Sequence, residues 1–302
     1  MPCFDEFLIS INGKEATTEG PHISVFDRGF LFGDSVYEVA CSYDGVYFTL
    51  TDHIERLWNS CRLLGIHPTQ STEEIIQWSI DLLKKTNKEK IYLRTILTRG
   101  LSLPDIKVPE SYTTNVIMMA RPLKDYPDWW HSDGISLVTS TLHRNPKSSV
   151  DPNAKSGNYL NNILAVEQAQ KAGAVDSIMM NKEGKLTEGT TFNIWFVKDG
   201  KLHTPKSNVG LLTGITRKIL LELCKENTID LIEGEFIRTD LDGVDEMFIT
   251  SSTKEIVPVS SLDGVSIGDG KPGPVYKKMF QYYIDHVKAQ IQGAKSKGLL
   301  YT

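Results

Sequence analysis

Cysteine is scarce in this chain of 302 residues, and the few present are scattered. Cys3, Cys41, Cys61 and Cys224 form no CxxC pair, which excludes a disulfide framework and leaves reduced thiols of a cytoplasmic protein as the expectation. The seven histidines are equally dispersed, so no metal site is expected. No apolar run approaches the ~20 residues of a membrane span. Asp5 and Glu6 stand where a signal peptide carries positive charge, so neither membrane insertion nor secretion is expected. Positive charge is in short supply as well. The 33 Lys and Arg face 38 Asp and Glu, for a formal net charge of −5, and without a long basic run no nucleic-acid partner is expected. There is no GxxxxGK[ST] loop for a nucleoside triphosphate. No GxGxxG follows a strand, which argues against a Rossmann dinucleotide site. Internal repeats and low-complexity segments are missing too.

What is present reads as a folded α/β protein. Hydrophobic residues make up 40% and charged residues 24%, an ordinary globular balance that excludes a disordered chain. The length predicts about two domains. Residues 7–11 read as a strand entering an Asn12-Gly13 hairpin turn, and residues 36–43 and 46–50 as strands around Asp44-Gly45. A helix follows, with Asp52 and Glu55 at capping-box spacing, and a second opens at Ser71 with Glu74 three residues on. Strands are expected at 91–98 and 115–120. Residues 121–134 (RPLKDYPDWWHSDG) break the periodicity and read as a linker, with Trp129 and Trp130 as packing residues. The remainder alternates strands (135–142, 175–181, 191–198, 201–204, 229–233, 246–250) with helices (157–171, 214–226, 274–291). The division expected is one lobe over 1–120, a linker over 121–134 and a second lobe over 135–302, both lobes being α+β.

Four places carry more chemistry than packing needs. Lys155, in SVDPNAKSGNYLNNILA, stands directly before a helix that Ser156 or Asn158 can cap. A helix start is electropositive; positive potential lowers an amine's pKa, and a neutral amine attacks carbonyls. By position alone a solvated loop lysine remains the alternative. GLLTGIT (210–216) places Thr213 as a cap and the N–H groups of Ile215 and Thr216 at a helix start, an arrangement suited to phosphate. Thr250–Thr253 sets four consecutive hydroxyl residues after a strand, either as turn residues or as further donors. Glu188, in KLTEGTTFNIWFV, enters a strand beside Gly189, where a flat ligand can approach. It reads equally as a solvated turn residue.

A Schiff-base lysine, a phosphate site and a lone carboxylate are the parts of a pyridoxal 5′-phosphate site. The strings VFDRGFLFGDSVYEV, KSGNYLNNILA, LTEGTTFNIW, LLTGITR, SSTKEIVPV and SIGDGKPGPV, in this order, resemble the class IV aminotransferases. These are the fold type IV pyridoxal-phosphate enzymes, which include the branched-chain and D-amino-acid aminotransferases, the (R)-amine transaminases and aminodeoxychorismate lyase. The resemblance spans nearly the whole chain. It implies a D-amino-acid aminotransferase-like α/β fold of two lobes, a homodimer whose active site lies at the interface, and amino-acid and 2-oxo-acid substrates. It also implies roles. Lys155 carries the Schiff base and shuttles the proton. Glu188 meets the pyridine nitrogen, and Tyr159 the ring's phenolic oxygen. Arg56 in DHIERL, Ile215, Thr216 and Ser252 hold the phosphate, and Asn193 supports the site. Helical spacing alone makes Arg56 a solvated residue, so that role comes from the resemblance.

Substrate signals divide. Tyr92-Leu93-Arg94 resembles the YIR element of branched-chain enzymes, where the arginine organises the carboxylate site. Tyr37 and Val39 in GDSVYEV, and Arg99-Gly100 in LTRG, resemble D-amino-acid aminotransferases. The histidine that those enzymes carry two residues after the arginine is replaced here by Ser102-Leu103. Tyr37, Val39, Arg94, Arg99 and Thr253 are the expected substrate contacts. Branched-chain L-amino acids with 2-oxoglutarate as acceptor are the preferred reading. A D-amino-acid or (R)-amine transaminase and an aminodeoxychorismate-type lyase are the alternatives. As residues alone, Arg94 fits a structural ion pair and Arg99 a mobile loop position.

Overall fold

The structure, a computed structural model, describes residues 6–16 and 22–302, and every count below refers to them. Cys3 and Asp5 lie outside the described residues. The chain divides into two compact units. One holds the residues up to Lys124 with Ala154–Asn158 and Val287–Thr302, and the other holds Asp125–Asn153 and Tyr159–His286. The expected division differs in three ways. The boundary falls inside the stretch 121–134, which is not a plain linker: it contains the end of one strand and a short helix. The lysine segment and the last sixteen residues join the first unit rather than the second.

The first unit is built on an antiparallel sheet of β1 (Leu8–Ile11), β2 (Lys14–Ala16), β3 (Ser35–Tyr43), β4 (Val46–Phe48), β5 (Ile91–Thr98) and β6 (Asn115–Pro122), in the order β2-β1-β6-β5-β3-β4. The turns at Asn12-Gly13 and Asp44-Gly45 place both residues of each pair at positive φ, as tight hairpins require. The pleat sorts the side chains. Val36, Ala40, Leu93, Leu97, Val116, Met118 and Ala120 pack with the apolar stripes of α2 (Leu50–Leu63) and α3 (Thr72–Thr86). The short α1 (Arg28–Phe32) precedes β3 and is capped by Asp27.

The capping box at Ser71 and Glu74 forms as expected, at 3.2 and 2.8 Å. The box expected at Asp52 and Glu55 does not, because the cap residue of α2 is Thr49, three residues earlier. The chain turns out of β4 through Thr49 in the left-handed region, and the Thr49 hydroxyl donates to Phe48 O at 2.8 Å instead of capping the helix. The end of the chain serves instead: the carbonyl of Thr302 accepts from Thr51 N–H, and its hydroxyl accepts from Thr49 N–H.

The second unit carries β7 (Ile135–His143), β8 (Asp176–Met180), β9 (Leu186–Gly189), β10 (Asn193–Lys198), β11 (Lys201–Pro205), β12 (Leu231–Gly234), β13 (Glu246–Ser251), β14 (Glu255–Leu262) and β15 (Val265–Ser266). Its order is β12-β11-β10-β13-β14-β7-β8-β9, with β15 on β14. Ile135, Leu137, Ile178, Ile194, Phe196, Met247, Ile249 and Val257 form its core, with Trp130 of α4 (Trp129–Ser132) against it. Helix α5 (Leu160–Lys171) packs on β7 and β8, and α6 (Ile215–Glu226) on β13. Helix α5 begins at Leu160 rather than 157, so neither Ser156 nor Asn158 is its cap. Gly214, not Thr213, is the cap residue of α6. The last helix, α7 (Pro274–Ser296), runs five residues past its expected end. Among the described residues no helix is long and apolar enough to cross a membrane.

Candidate active site

In the first unit, Lys155 is held by β3. Its carbonyl accepts from Tyr37 N–H at 2.8 Å, Gly157 N–H donates to Ser35 O, and Ser156 bridges Val36. The segment lies so close that a Cβ on Gly157 would strike the Ser35 side chain. Lys155 N–H donates to Ser60 Oγ of α2, at 3.1 Å. The amine donates to Tyr37 Oη at 3.3 Å and stands 4.4 Å from the ring centroid. The helix-dipole argument for Lys155 does not hold, because α5 begins five residues later and the dipole fades within a turn.

Tyr37 leads into a pocket of about 440 Å³ on the sheet face opposite α2 and α3. Ile9, Ile11, Ile96, Ile117 and Met119 line it, with Phe30 at α1. A solvated face of an antiparallel sheet is normally polar; here five aliphatic or thioether side chains cover it. Arg94 is the cation in that lining. Its guanidinium lies 4.1 Å from the centroid of the Tyr37 ring, and no hydrogen bond or ion pair ties it to another described residue. Val39 pairs with Arg94 across β3 and β5.

Arg56 of α2 is not a solvated residue. Its Nε and Nη2 donate to the two oxygens of Glu38, at 2.6 and 2.8 Å. His53 Nδ1 shares the same carboxylate at 2.8 Å. Burial pushes the Glu38 carboxyl up, but the Arg56 charge and the hydrogen bonds from Arg56 and His53 outweigh it and hold the carboxyl far below its usual range. Burial pushes the His53 imidazole below its ordinary value against the pull of Glu38. Facing an ionised carboxylate, the His53 Nδ1–H is the donor. The arginine so fixed has a rigid direction, as an anion receptor needs.

Arg99 is occupied elsewhere. It donates to Asp34 at 2.7 Å, to the carbonyls of Gly65 and Leu64, and to Tyr112 Oη. Asp34 also takes Arg28 at 2.8 Å. Burial raises the Asp34 carboxyl, and the two arginines more than offset it, leaving it below its ordinary value. The sequence expectation for Arg99 is a substrate carboxylate or a mobile loop position; in this geometry its donors go to these partners.

In the second unit, Glu188 lies buried on β9. Its Oε1 accepts from Arg144 Nε at 2.8 Å and its Oε2 from Leu212 N–H at 3.1 Å. Asn193 Nδ2, at the head of β10, donates to Leu212 O at 2.9 Å. The same Asn193 side chain crowds Gly214, where a Cβ would collide with it. The 210–214 loop is thus pinned to Glu188 and Asn193, and α6 leaves it without a side-chain cap. The first N–H groups of such a helix, at Ile215 and Thr216, have no intrahelical partner. Ser252 and Thr253 form the turn between β13 and β14, and Thr253 Oγ1 accepts from Tyr126 Oη at 3.5 Å. Tyr159 is the cap residue of α5.

Sequence reasoning missed Glu38, His53 and Arg144. Glu38 alternates with Tyr37 and Val39 on a strand, and that pattern was itself a signal: a charge on the face that packs the helices needs a partner. Taken unit by unit, the donor types are those a phosphorylated aldehyde with a basic ring nitrogen needs. In the second unit the uncapped α6 suits an anion and the buried carboxylate a protonated nitrogen; in the first the lysine suits an aldehyde carbon.

Comparison with known proteins agrees with this chemistry. Residues 35–262 match the family model for amino-transferase class IV. The D-alanine aminotransferase of Bacillus licheniformis is 33% identical over 271 residues, covering 90% of this chain and 94% of that protein. The crystal structure of the Escherichia coli branched-chain amino acid aminotransferase superposes with a TM-score of 0.89 at 31% identity, covering 92% of this chain and 93% of that one. The branched-chain amino acid aminotransferase of Thermobaculum terrenum, solved in its pyridoxal-phosphate holo-form, gives a TM-score of 0.84 at 26% identity, covering 93% of both chains. The chain belongs to the class IV aminotransferases, transaminases of fold type IV that depend on pyridoxal 5′-phosphate.

Proposed function

We propose that the enzyme moves the amino group of a branched-chain L-amino acid to 2-oxoglutarate, with Lys155 as the covalent anchor of the cofactor. The observation that carries the substrate side is the pocket of Ile9, Ile11, Ile96, Ile117 and Met119, with Arg94 as the cation in its lining. Aliphatic walls favour an aliphatic side chain by ~0.8 kcal/mol per buried CH₂. An arginine with no carboxylate partner among the described residues favours a substrate carboxylate. The relatives of this chain include both branched-chain and D-alanine aminotransferases, so the reading rests on the pocket lining rather than on ancestry.

The cofactor supplies an aldehyde that exchanges nitrogen for oxygen and a ring that withdraws electrons from the substrate carbon. The chain does the rest. Lys155 Nζ takes and returns the proton of the substrate carbon, within reach of Tyr37 Oη. Arg56, the N–H groups of Ile215 and Thr216, and Ser252 hold the phosphate. Glu188 keeps the ring nitrogen protonated, Tyr159 meets the phenolic oxygen, and Asn193 holds the entry to α6. Tyr37, Val39, Arg94 and Thr253 meet the substrate; Arg99 stays with Asp34. The buried thiols Cys41, Cys61 and Cys224 suit a reducing, cytoplasmic setting. The working unit in this reading is a homodimer that completes the site.

A half-reaction screen tests the proposal. The yellow holoenzyme is mixed separately with L-Leu, L-Val, D-Ala, D-Glu and (R)-phenylethylamine, and loss of colour is followed. L-Leu and L-Val bleach it, and 2-oxoglutarate restores it. Bleaching by D-Ala alongside indifference to L-Leu overturns the substrate assignment. Release of pyruvate without need of an oxo acid makes it a lyase.

A further inference from the structure

We propose that Arg144 is a positioning residue for Glu188, holding its carboxylate ionised and in one orientation toward the ring nitrogen of the cofactor. The inference rests on the reading of Glu188 given above. Arg144 directly follows β7, and its N–H donates to Met180 O at 2.8 Å, which ties its backbone to β8. Its Nε reaches across to Glu188 Oε1 on β9. Both side chains are over nine-tenths buried. A carboxylate so buried takes up a proton unless a cation stands beside it. A protonated carboxyl cannot keep a ring nitrogen charged. Arginine cannot give up its own proton, so the pairing persists across the working pH range.

Geometry adds direction to charge. Arg144 holds one oxygen and Leu212 N–H the other, so the plane of the carboxylate is fixed at both ends. Each carboxylate oxygen accepts more than one hydrogen bond, which leaves capacity for the ring N–H. Without Arg144 the buried carboxyl would hold a proton and offer the ring nitrogen no charge, so the strength of that contact depends on Arg144.

The test compares two cofactors on the stripped enzyme: pyridoxal 5′-phosphate, and its analogue with C–H in place of the ring nitrogen. The quantity read is the ratio of their dissociation constants, which a general loss of packing does not move. In Arg144→Met the preference for the nitrogen ring falls by about tenfold or more, the size of a lost charge-assisted hydrogen bond, while the carbon analogue binds within about twofold of wild type. Arg144→Lys keeps the charge without the planar geometry, and its preference lies between the two. If the Met variant does not fold, the Lys variant decides: a reduced preference supports the inference, and a wild-type preference overturns it. Glu188→Gln separates the two layers. If it leaves the preference intact, the reading of Glu188 itself is wrong. If it abolishes the preference while Arg144→Met retains it, only the role of Arg144 fails.

Discussion

Arg94 and Arg99 lie five residues apart, one on β5 and one just beyond it, and the structure gives them opposite work. Arg99 spends its donors on Asp34, two carbonyls and Tyr112, with 6% of its side chain exposed. Arg94 lies over Tyr37 in the wall of the pocket. Arg99→Met therefore leaves Asp34 half-neutralised and the carbonyls of Gly65 and Leu64 short of a donor. It costs about 3 kcal/mol of stability, read by chemical denaturation, and leaves the order of substrate preference as it was. Arg94→Met has the reverse signature: stability close to wild type, and half-reactions with L-Leu and L-Val slowed roughly ten- to a hundredfold, the loss of one charge-assisted carboxylate contact. A stable Arg99→Met enzyme with altered substrate order would return the carboxylate role to Arg99.

At the scale of elements, the segment after β5 shows how one buried side chain shapes a surface. Arg28, on α1, donates to Ser102 Oγ and to the carbonyls of Asp105, Ile106 and Lys107. The segment is fixed from beneath, while Leu103 and Ile106 are 79% and 76% exposed and Phe30 of α1 is 70% exposed. Exposed apolar residues in such number are what an interaction face carries, and in the proposed homodimer a second copy would cover them. The chain mass is 33.9 kDa; sedimentation of the wild type should give about twice that. The double variant Phe30→Glu/Ile106→Glu should sediment as a monomer with its far-ultraviolet dichroism unchanged. A monomeric wild type contradicts the dimer.

For the molecule as a whole, the class of fold and the family were legible because they are written in local signals. Hairpin turns at Asn12-Gly13, Asp44-Gly45 and Asp199-Gly200 sit at positive φ where the turn residues stand. The Ser71 capping box and the stripe Ile75, Ser79, Leu82 and Leu83 define α3 within a single short stretch of chain. What was not legible is joined across distance. Lys155 reads locally as a helix entry, yet it belongs with β3, more than a hundred residues earlier, through contacts that no short window contains. Helix α2 takes its cap from Thr302 at the far end of the chain. Arg144 and Glu188 are 44 residues apart, and neither string hints at the other. Arg56 looked solvated because helical spacing records position on a helix and says nothing of Glu38 on the neighbouring strand.

The central claim is that one lysine, held against β3 beside Tyr37, binds the cofactor covalently. Borohydride reduction of the yellow holoenzyme, followed by proteolysis and mass spectrometry, tests it most directly. The account predicts a single phosphopyridoxyl group, on the peptide that contains Lys155, and its absence in Lys155→Ala. A label on Lys147, Lys254 or any other lysine, or no label from a protein that still transaminates, would contradict it.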